Sequence, residues 1–356
     1  MRRGWLGGAV LLALFAGEIP ARGESMRATV GLEYDDNPFD VTGPGRAGWV
    51  SRLYLQQAGV VTGGEWGEVH LRHEWGLKRF WKAEDASTTA GDVLANAVDC
   101  GAVWRVRPSL ALSLGSELKI RSVQRLSRED GYLRGALRLG LETEPRPGLA
   151  GSLRYLQGVE DARGGGLADA AVRELAVDLR LRRERQLAGS VGLRLRRVRY
   201  SRPVLEVDPA QPDQVLEGDR DQRDLGVEAS VGVEYNGTVL VQAGYGCLAN
   251  RSNSPGYDYL AHRVHALVTR ALIAEVDGQV FLSGQFRRYG ESLPPSEATP
   301  VEQDEYEQLL LSLKLARRLG ERLGLSWQYR FSRNGATNAE EACRKQVYAL
   351  SLDLAL

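Results

Sequence analysis

From about residue 26 to its last residue, the chain alternates apolar and polar side chains with a period of two. The pattern is clearest where Leu323, Leu325, Trp327, Tyr329 and Phe331 interleave with Gly324, Ser326, Gln328 and Arg330. Leu225, Val227, Ala229, Val231, Val233 and Tyr235 alternate in the same way with Gly226, Glu228, Ser230, Gly232 and Glu234. Residues 112–121, 309–316 and 348–356 repeat it. Successive side chains of a β-strand point to opposite faces, so each segment has one apolar and one polar face. About sixteen such strands are expected, and no fewer than about fourteen.

The breaks between segments alternate in length. Short ones fall at Gly63-Gly64, 107–109, 144–148, 184–186, Asn236-Gly237, 276–278 and 320–322. Long ones fall at about 35–48, 81–92, 123–131, 157–171, 200–222, 249–257, 290–304 and 332–342. Pairs such as Asn-Gly close tight hairpins. A soluble sandwich or barrel would hide the apolar faces inside. A transmembrane barrel turns them to lipid, joins its strands by short periplasmic turns and long outer loops, and keeps a wet lumen.

The polar faces decide between the two. Glu117, Lys119, Arg121, Arg134, Arg138, Asp178, Arg180, Arg182, Arg194 and Arg196 all lie on them, and burying so many unpaired charges in a core is prohibitive. Aromatic residues gather near segment ends, at Tyr34, Trp49, Trp66, Trp81, Trp104, Tyr155, Tyr235, Tyr257, Tyr259 and Tyr306, as in girdles at the two lipid interfaces. The expected fold is therefore all-β: a single antiparallel transmembrane barrel of about sixteen strands in a meander, with both termini periplasmic. The alternating last strand ends on Leu356, where such barrels usually end on an aromatic residue.

Composition changes this picture little. The 356 residues are 43% hydrophobic and 26% charged, with 46 basic and 46 acidic side chains. Those figures would suit a soluble protein, because they average the two faces of each strand. The charge balance argues against a nucleic-acid partner. Residues 1–23 read as a secretory signal: Arg2 and Arg3 precede an apolar run from Leu6 to Ala16, then Pro20 and the small-residue stretch Ala21-Arg22-Gly23. The barrel domain is then 24–356. Cys100, Cys247 and Cys343 are odd in number and far apart, so incidental thiols are expected rather than a disulfide framework.

Three stretches carry a family resemblance. Val30–Phe39, reading VGLEYDDNPF, resembles the opening strand of outer-membrane barrels from exosortase and exopolysaccharide loci. Asn250–Tyr259, running into His262-Arg263-Val264, is similar to their recurrent hairpin, and Tyr329–Asn334 leading to Val347 is a degraded copy. The resemblance implies an outer-membrane barrel tied to polysaccharide passage. It further implies as partners outer-membrane lipid and lipopolysaccharide, the barrel-assembly machinery, and a polysaccharide or its periplasmic export proteins.

Candidate chemistry is sparse. His70/His73 and His262/His265 are each spaced H-x-x-H, but residues three apart on a strand face opposite sides, so neither pair chelates a metal alone. By parity His70 and His265 face the lumen, and His73 and His262 face outward. Asp35, Asp36 and Asn37 resemble half of a calcium site, though a solvated loop with Asx caps explains them as well. Gly164-Gly165-Gly166 lacks the following Lys and Ser/Thr of a phosphate cradle. No catalytic residue, metal or cofactor is expected. The informative surface is the lumen, whose expected lining includes Arg72, Glu117, Lys119, Arg121, Arg134, Arg138, Arg154, Arg180, Arg194, Arg196, Glu228, Glu234, Lys314 and Arg330. Basic rings favour anions. A porin-like or export channel for anionic solute or polysaccharide is the first reading, and a non-conducting barrel that holds a partner is the alternative. An outer-membrane enzyme is a third, disfavoured one. Segment 200–222 is the candidate plug.

Overall fold

A computed structural model describes residues 22–36, 47–81, 92–124, 129–163, 169–183, 186–208, 210–290, 306–335 and 343–356. The signal reading and the Gly164–Gly166 loop fall outside these residues, except that the first strand already begins at Arg22.

Sixteen strands form. They are β1 (Arg22–Asp35), β2 (Gly48–Gly64), β3 (Gly67–Phe80), β4 (Val93–Arg107), β5 (Leu110–Gln124) and β6 (Glu129–Arg146). Next come β7 (Leu149–Arg163), β8 (Ala170–Arg182), β9 (Leu187–Asp208), β10 (Gln211–Asn236) and β11 (Leu240–Ser252). The last are β12 (Tyr259–Ala271), β13 (Val276–Tyr289), β14 (Tyr306–Arg318), β15 (Leu323–Gly335) and β16 (Cys343–Ala355). Each pairs antiparallel with its neighbours in sequence, and β1 pairs with β16, closing the sheet into a barrel without an edge.

The period of two survives closure. Leu137 is 60% exposed and Leu193 55%, and they belong to an outward belt of aliphatic side chains that runs around the wall. Such a belt suits hydrocarbon rather than water, since an exposed apolar surface of this extent is rare on soluble proteins. The inward face is polar, and its buried apolar residues are mostly small ones such as Ala136, Ala176 and Ala349. A barrel of this many strands encloses more space than side chains fill.

Three expectations are corrected. Segment 200–222 is no plug: it continues β9 and β10 into a hairpin that makes them 22 and 26 residues long, the longest strands of the wall. Register shifts at Gln211/Val215, Glu217/Asp221 and Asp221/Arg223 break its alternation, which is why it reads as a loop. The turn expected at 276–278 lies earlier, at Leu272–Val276, where Leu272 N–H donates to the Val276 carbonyl at 2.7 Å. Ala274 and Glu275 adopt φ of 56° and 58°, the left-handed pair of a tight hairpin that Asn-Gly would normally announce. Finally, Tyr259 faces inward, on Tyr289 with ring centroids 5.7 Å apart, and Tyr257 packs on Arg202, so neither joins a girdle. Trp49, Trp66, Trp81, Trp104 and Tyr235 are exposed at strand ends as expected, while the side chain of Tyr306 is outside the described residues.

Candidate functional site

Strand register brings the charges of the polar faces together on one continuous inner surface. Arg72 faces Asp99, which faces Glu117; Lys119 faces Arg134; Arg194 faces Glu228. The same phase places Arg121, Arg138, Arg154, Arg180, Arg196, Glu234, Lys314 and Arg330 on this surface. Side chains from β4 through β12 converge on one cavity of about 640 Å³ at the turn end, including Glu142, Arg154, Asp178, Arg180, Glu234 and His265. That convergence identifies the face as the interior.

Most of these charges are paired along the wall. Arg194 reaches Glu174 and Glu228, each at 3.2 Å, and Arg263 reaches Glu228 at 3.5 Å. Arg154 meets Asp178 at 2.5 Å and Arg180 meets Glu234 at 2.9 Å, the latter stepping over a strand. On the other side Arg138 pairs with Asp99 and Arg72 with Glu74, while Lys119 lies 3.2 Å from Glu117 and Arg134 4.0 Å from it. Near the loop end Glu33 holds Arg52 at 2.7 Å and Lys78 at 3.5 Å, and Asp35 holds Lys345 at 3.1 Å.

Some inward charges stand outside this lattice. Among the described residues, Arg27, Arg105, Arg121, Arg182, Arg196, Lys314 and Arg330 have no carboxylate within 4 Å. Inward acids without a cation at that distance are Glu68, Glu142, Glu160, Asp224, Asp277 and Asp353. With Arg318, which is in phase with Lys314 and also has no carboxylate at that distance, free charge on the described wall leans slightly to the basic side. A smaller recess of about 90 Å³ opens on the upper wall, where Arg196 lies among Tyr200, Asp224, Asn250 and Tyr259.

Histidine parity follows the register. His70 and His265 face inward, each against a glycine of the next strand, Gly101 and Gly244, where a Cβ would overlap the imidazole. His73 and His262 face outward, and His262 Nδ1 shares a hydrogen bond of 2.7 Å with the Tyr245 hydroxyl. Asp35 and Asp36 are taken up by β16: Asp36 accepts the Gln346 N–H at 2.5 Å, beside the Asp35–Lys345 pair. Asn37 lies outside the described residues, among which no group of three or more His, Cys, Asp or Glu could hold a metal.

The stretch Asn250–Tyr259 has a scaffolding role. Asn253 accepts the Arg223 N–H at 2.6 Å and donates to the Asp221 carbonyl at 3.1 Å. Ser254, 1% exposed, accepts the Leu205 N–H at 3.0 Å, and Asp258 accepts the Ser252 N–H at 2.6 Å. Arg202 lies between the Tyr200 and Tyr257 rings, 4.9 and 4.8 Å from their centroids, and donates to Gln222 at 2.7 Å. The β9–β10 extension is thereby fastened to the β11–β12 connection.

Several partners escape sequence reasoning. Asp99 sits in a segment with apolar residues on both faces, so its phase is not legible. Asp35 and Asp224 border segments that read as loops. Glu174 is in phase with Asp178 and Arg180, so counting back along β8 finds it.

No family model matches the chain, and no characterised protein matches it in sequence. Among solved structures the barrel is similar to OpdK of Pseudomonas aeruginosa, solved with vanillate, at 12% identity and TM-score 0.50, covering 94% of this chain and 98% of that one. OprD of the same organism follows at 9% identity and TM-score 0.49, with 95% and 97% covered. OccAB2 of Acinetobacter baumannii is at 11% and 0.47, with 94% and 98% covered. At such identity the likeness to OpdK is one of fold, and it agrees with the sixteen-strand closure: the chain has the architecture of an outer-membrane β-barrel.

Proposed function

We propose that the chain is a porin-like channel of a bacterial outer membrane with a weak preference for anionic solutes. The apolar outer belt supports the membrane, and the interior lined by hydrated ion pairs supports passage of polar solutes. The observation that carries the preference is the slight basic excess of unpaired inward charge, in which Arg121, Lys314 and Arg330 have no carboxylate opposite them on the neighbouring strands. Paired charges contribute little net potential, so selectivity is modest. Passage of an anionic polysaccharide is the narrower form of this reading, supported by the sequence resemblance alone.

Planar-bilayer recording tests the proposal. Discrete conductance steps are expected, with a reversal potential in a salt gradient displaced toward the anion value. Absence of steps at high protein occupancy would sink the channel, and a cation-side displacement would sink the preference. Addition of an acidic oligosaccharide to one side separates the narrower form: long blockades support it, and unaltered current opposes it.

A further inference from the structure

The outer surface carries a charge pattern that conduction does not use. Arg173 and Arg197 stand directly opposite each other on β8 and β9, in phase with the exposed Leu175 and Leu195 below them. On the same level Leu225 of β10 faces Arg197 on one side and Arg251 of β11 on the other. One level higher Arg199 faces Arg223. Five exposed guanidinium groups thus share one outward patch across four strands, immediately above the last aliphatic row and at the end where β9 and β10 extend.

Like charges directly opposite on neighbouring strands repel. Arg199 is relieved by Asp221 at 2.5 Å, but Arg173, Arg197, Arg223 and Arg251 have no carboxylate within 4 Å among the described residues. The pattern is one-sided. At the opposite end of the same strands the outward residues are Leu181, Leu187, Tyr235 and Val241. Snorkelling to water would explain a cation at either end, not a cluster confined to one. With strands about 4.8 Å apart, Arg197 and Arg251 are separated by roughly 10 Å, so several guanidiniums can close on a ligand with more than one anionic group.

We infer that this patch binds the phosphate groups of an outer-leaflet glycolipid, with the acyl chains lying on the aliphatic rows below. A guanidinium fork matches phosphate geometry, and the level of the patch is the boundary between apolar belt and exterior, where such phosphates lie. The inference rests on the outer-membrane placement above but not on conduction.

Native mass spectrometry of the detergent-folded barrel tests it, with bis-phosphorylated lipid A and the same lipid stripped of both phosphates as probes. Wild type is expected to retain the phosphorylated lipid at least tenfold more tightly than Arg173→Gln/Arg197→Gln/Arg223→Gln/Arg251→Gln. Arg270→Gln/Arg317→Gln, on other strands, should behave as wild type, and the dephosphorylated lipid should bind all three equally weakly. Should the fourfold variant lose its heat-modifiable mobility, Arg173→Gln/Arg251→Gln replaces it, with an intermediate loss expected. Equal retention of the two lipids by wild type, or equal retention of the phosphorylated lipid by wild type and variant, overturns the inference. Displacement of the lipid by millimolar inorganic phosphate also overturns it, since the patch would then be a site for free anion. A non-conducting barrel would leave every one of these outcomes readable.

Discussion

The Glu33 carboxylate, 3% exposed, lies 2.7 Å from the Arg52 guanidinium on the neighbouring strand. Lys78 approaches its other oxygen at 3.5 Å, so one buried acid holds two cations from β2 and β3. Glu33→Ala leaves both cations facing each other. Removing one partner of a buried pair is strongly destabilising, and the partial exposure of Arg52 and Lys78 moderates it to about 2–4 kcal/mol. Urea unfolding in detergent should show that loss, while Lys78→Met, which leaves Glu33 its closer partner, should show less than half of it.

Arg194 and Arg196 differ in partnership though they share a strand face. Arg196→Gln removes an unpaired cation, so anion preference should fall with no change in the unfolding midpoint. Arg194→Gln strips Glu174 of its cation and Glu228 of one of two, so both selectivity and stability should fall, the latter by about 1–3 kcal/mol. Reversal potentials and urea midpoints measured on the two variants decide; equal stability losses would contradict the pairing.

The two faces of the wall should respond oppositely to the same substitution. Leu137→Arg puts a cation into the outward belt, where it costs about 2–4 kcal/mol near the bilayer midplane. Ser283→Arg, on the inward face of β13, should cost under about 1 kcal/mol. Unfolding from lipid vesicles is the measurement, and equal losses would argue against a lipid-facing belt.

Asn253 fastens the β9–β10 extension through two hydrogen bonds. Asn253→Ala should weaken that fastening by about 1–2 kcal/mol locally, because each bond contributes about 1 kcal/mol net. Protease cleavage at the 208–211 turn should accelerate several-fold while the barrel's own unfolding transition stays in place. Unchanged cleavage would mean that the extension stands without the loop.

The fold was legible because alternation is a local property. Each strand of the Leu323–Gly335 kind declares its own two faces, and sixteen such segments with alternating connection lengths leave little choice of topology. Ala274-Glu275 shows where local signals fail: the turn uses left-handed backbone without the residues that favour it, so the reading moved to Asp277-Gly278. Which charges share a face was legible by parity, and the register joins those faces into one continuous surface. Which of them pair was not, since Arg138 reaches Asp99 and Arg180 reaches Glu234 across an intervening strand. Such contacts depend on register between three strands, a quantity no single segment contains. The outward arginines were hidden for the same reason: Arg173, Arg197 and Arg251 are far apart in sequence and become neighbours only through pairing.

The seam between β1 and β16 sets a rule for the birth of the molecule. Thr29 donates to Asp353 at 2.5 Å, joining side chains 324 residues apart in the chain. Every other pairing joins strands made one after the other, but the β1–β16 pairing must wait until β16 has emerged. Until then the sheet has two open margins, and a chain that stops short of β16 keeps both. β16 is therefore the closing piece of the wall: a sheet that lacks it cannot seal, however well its other strands are paired.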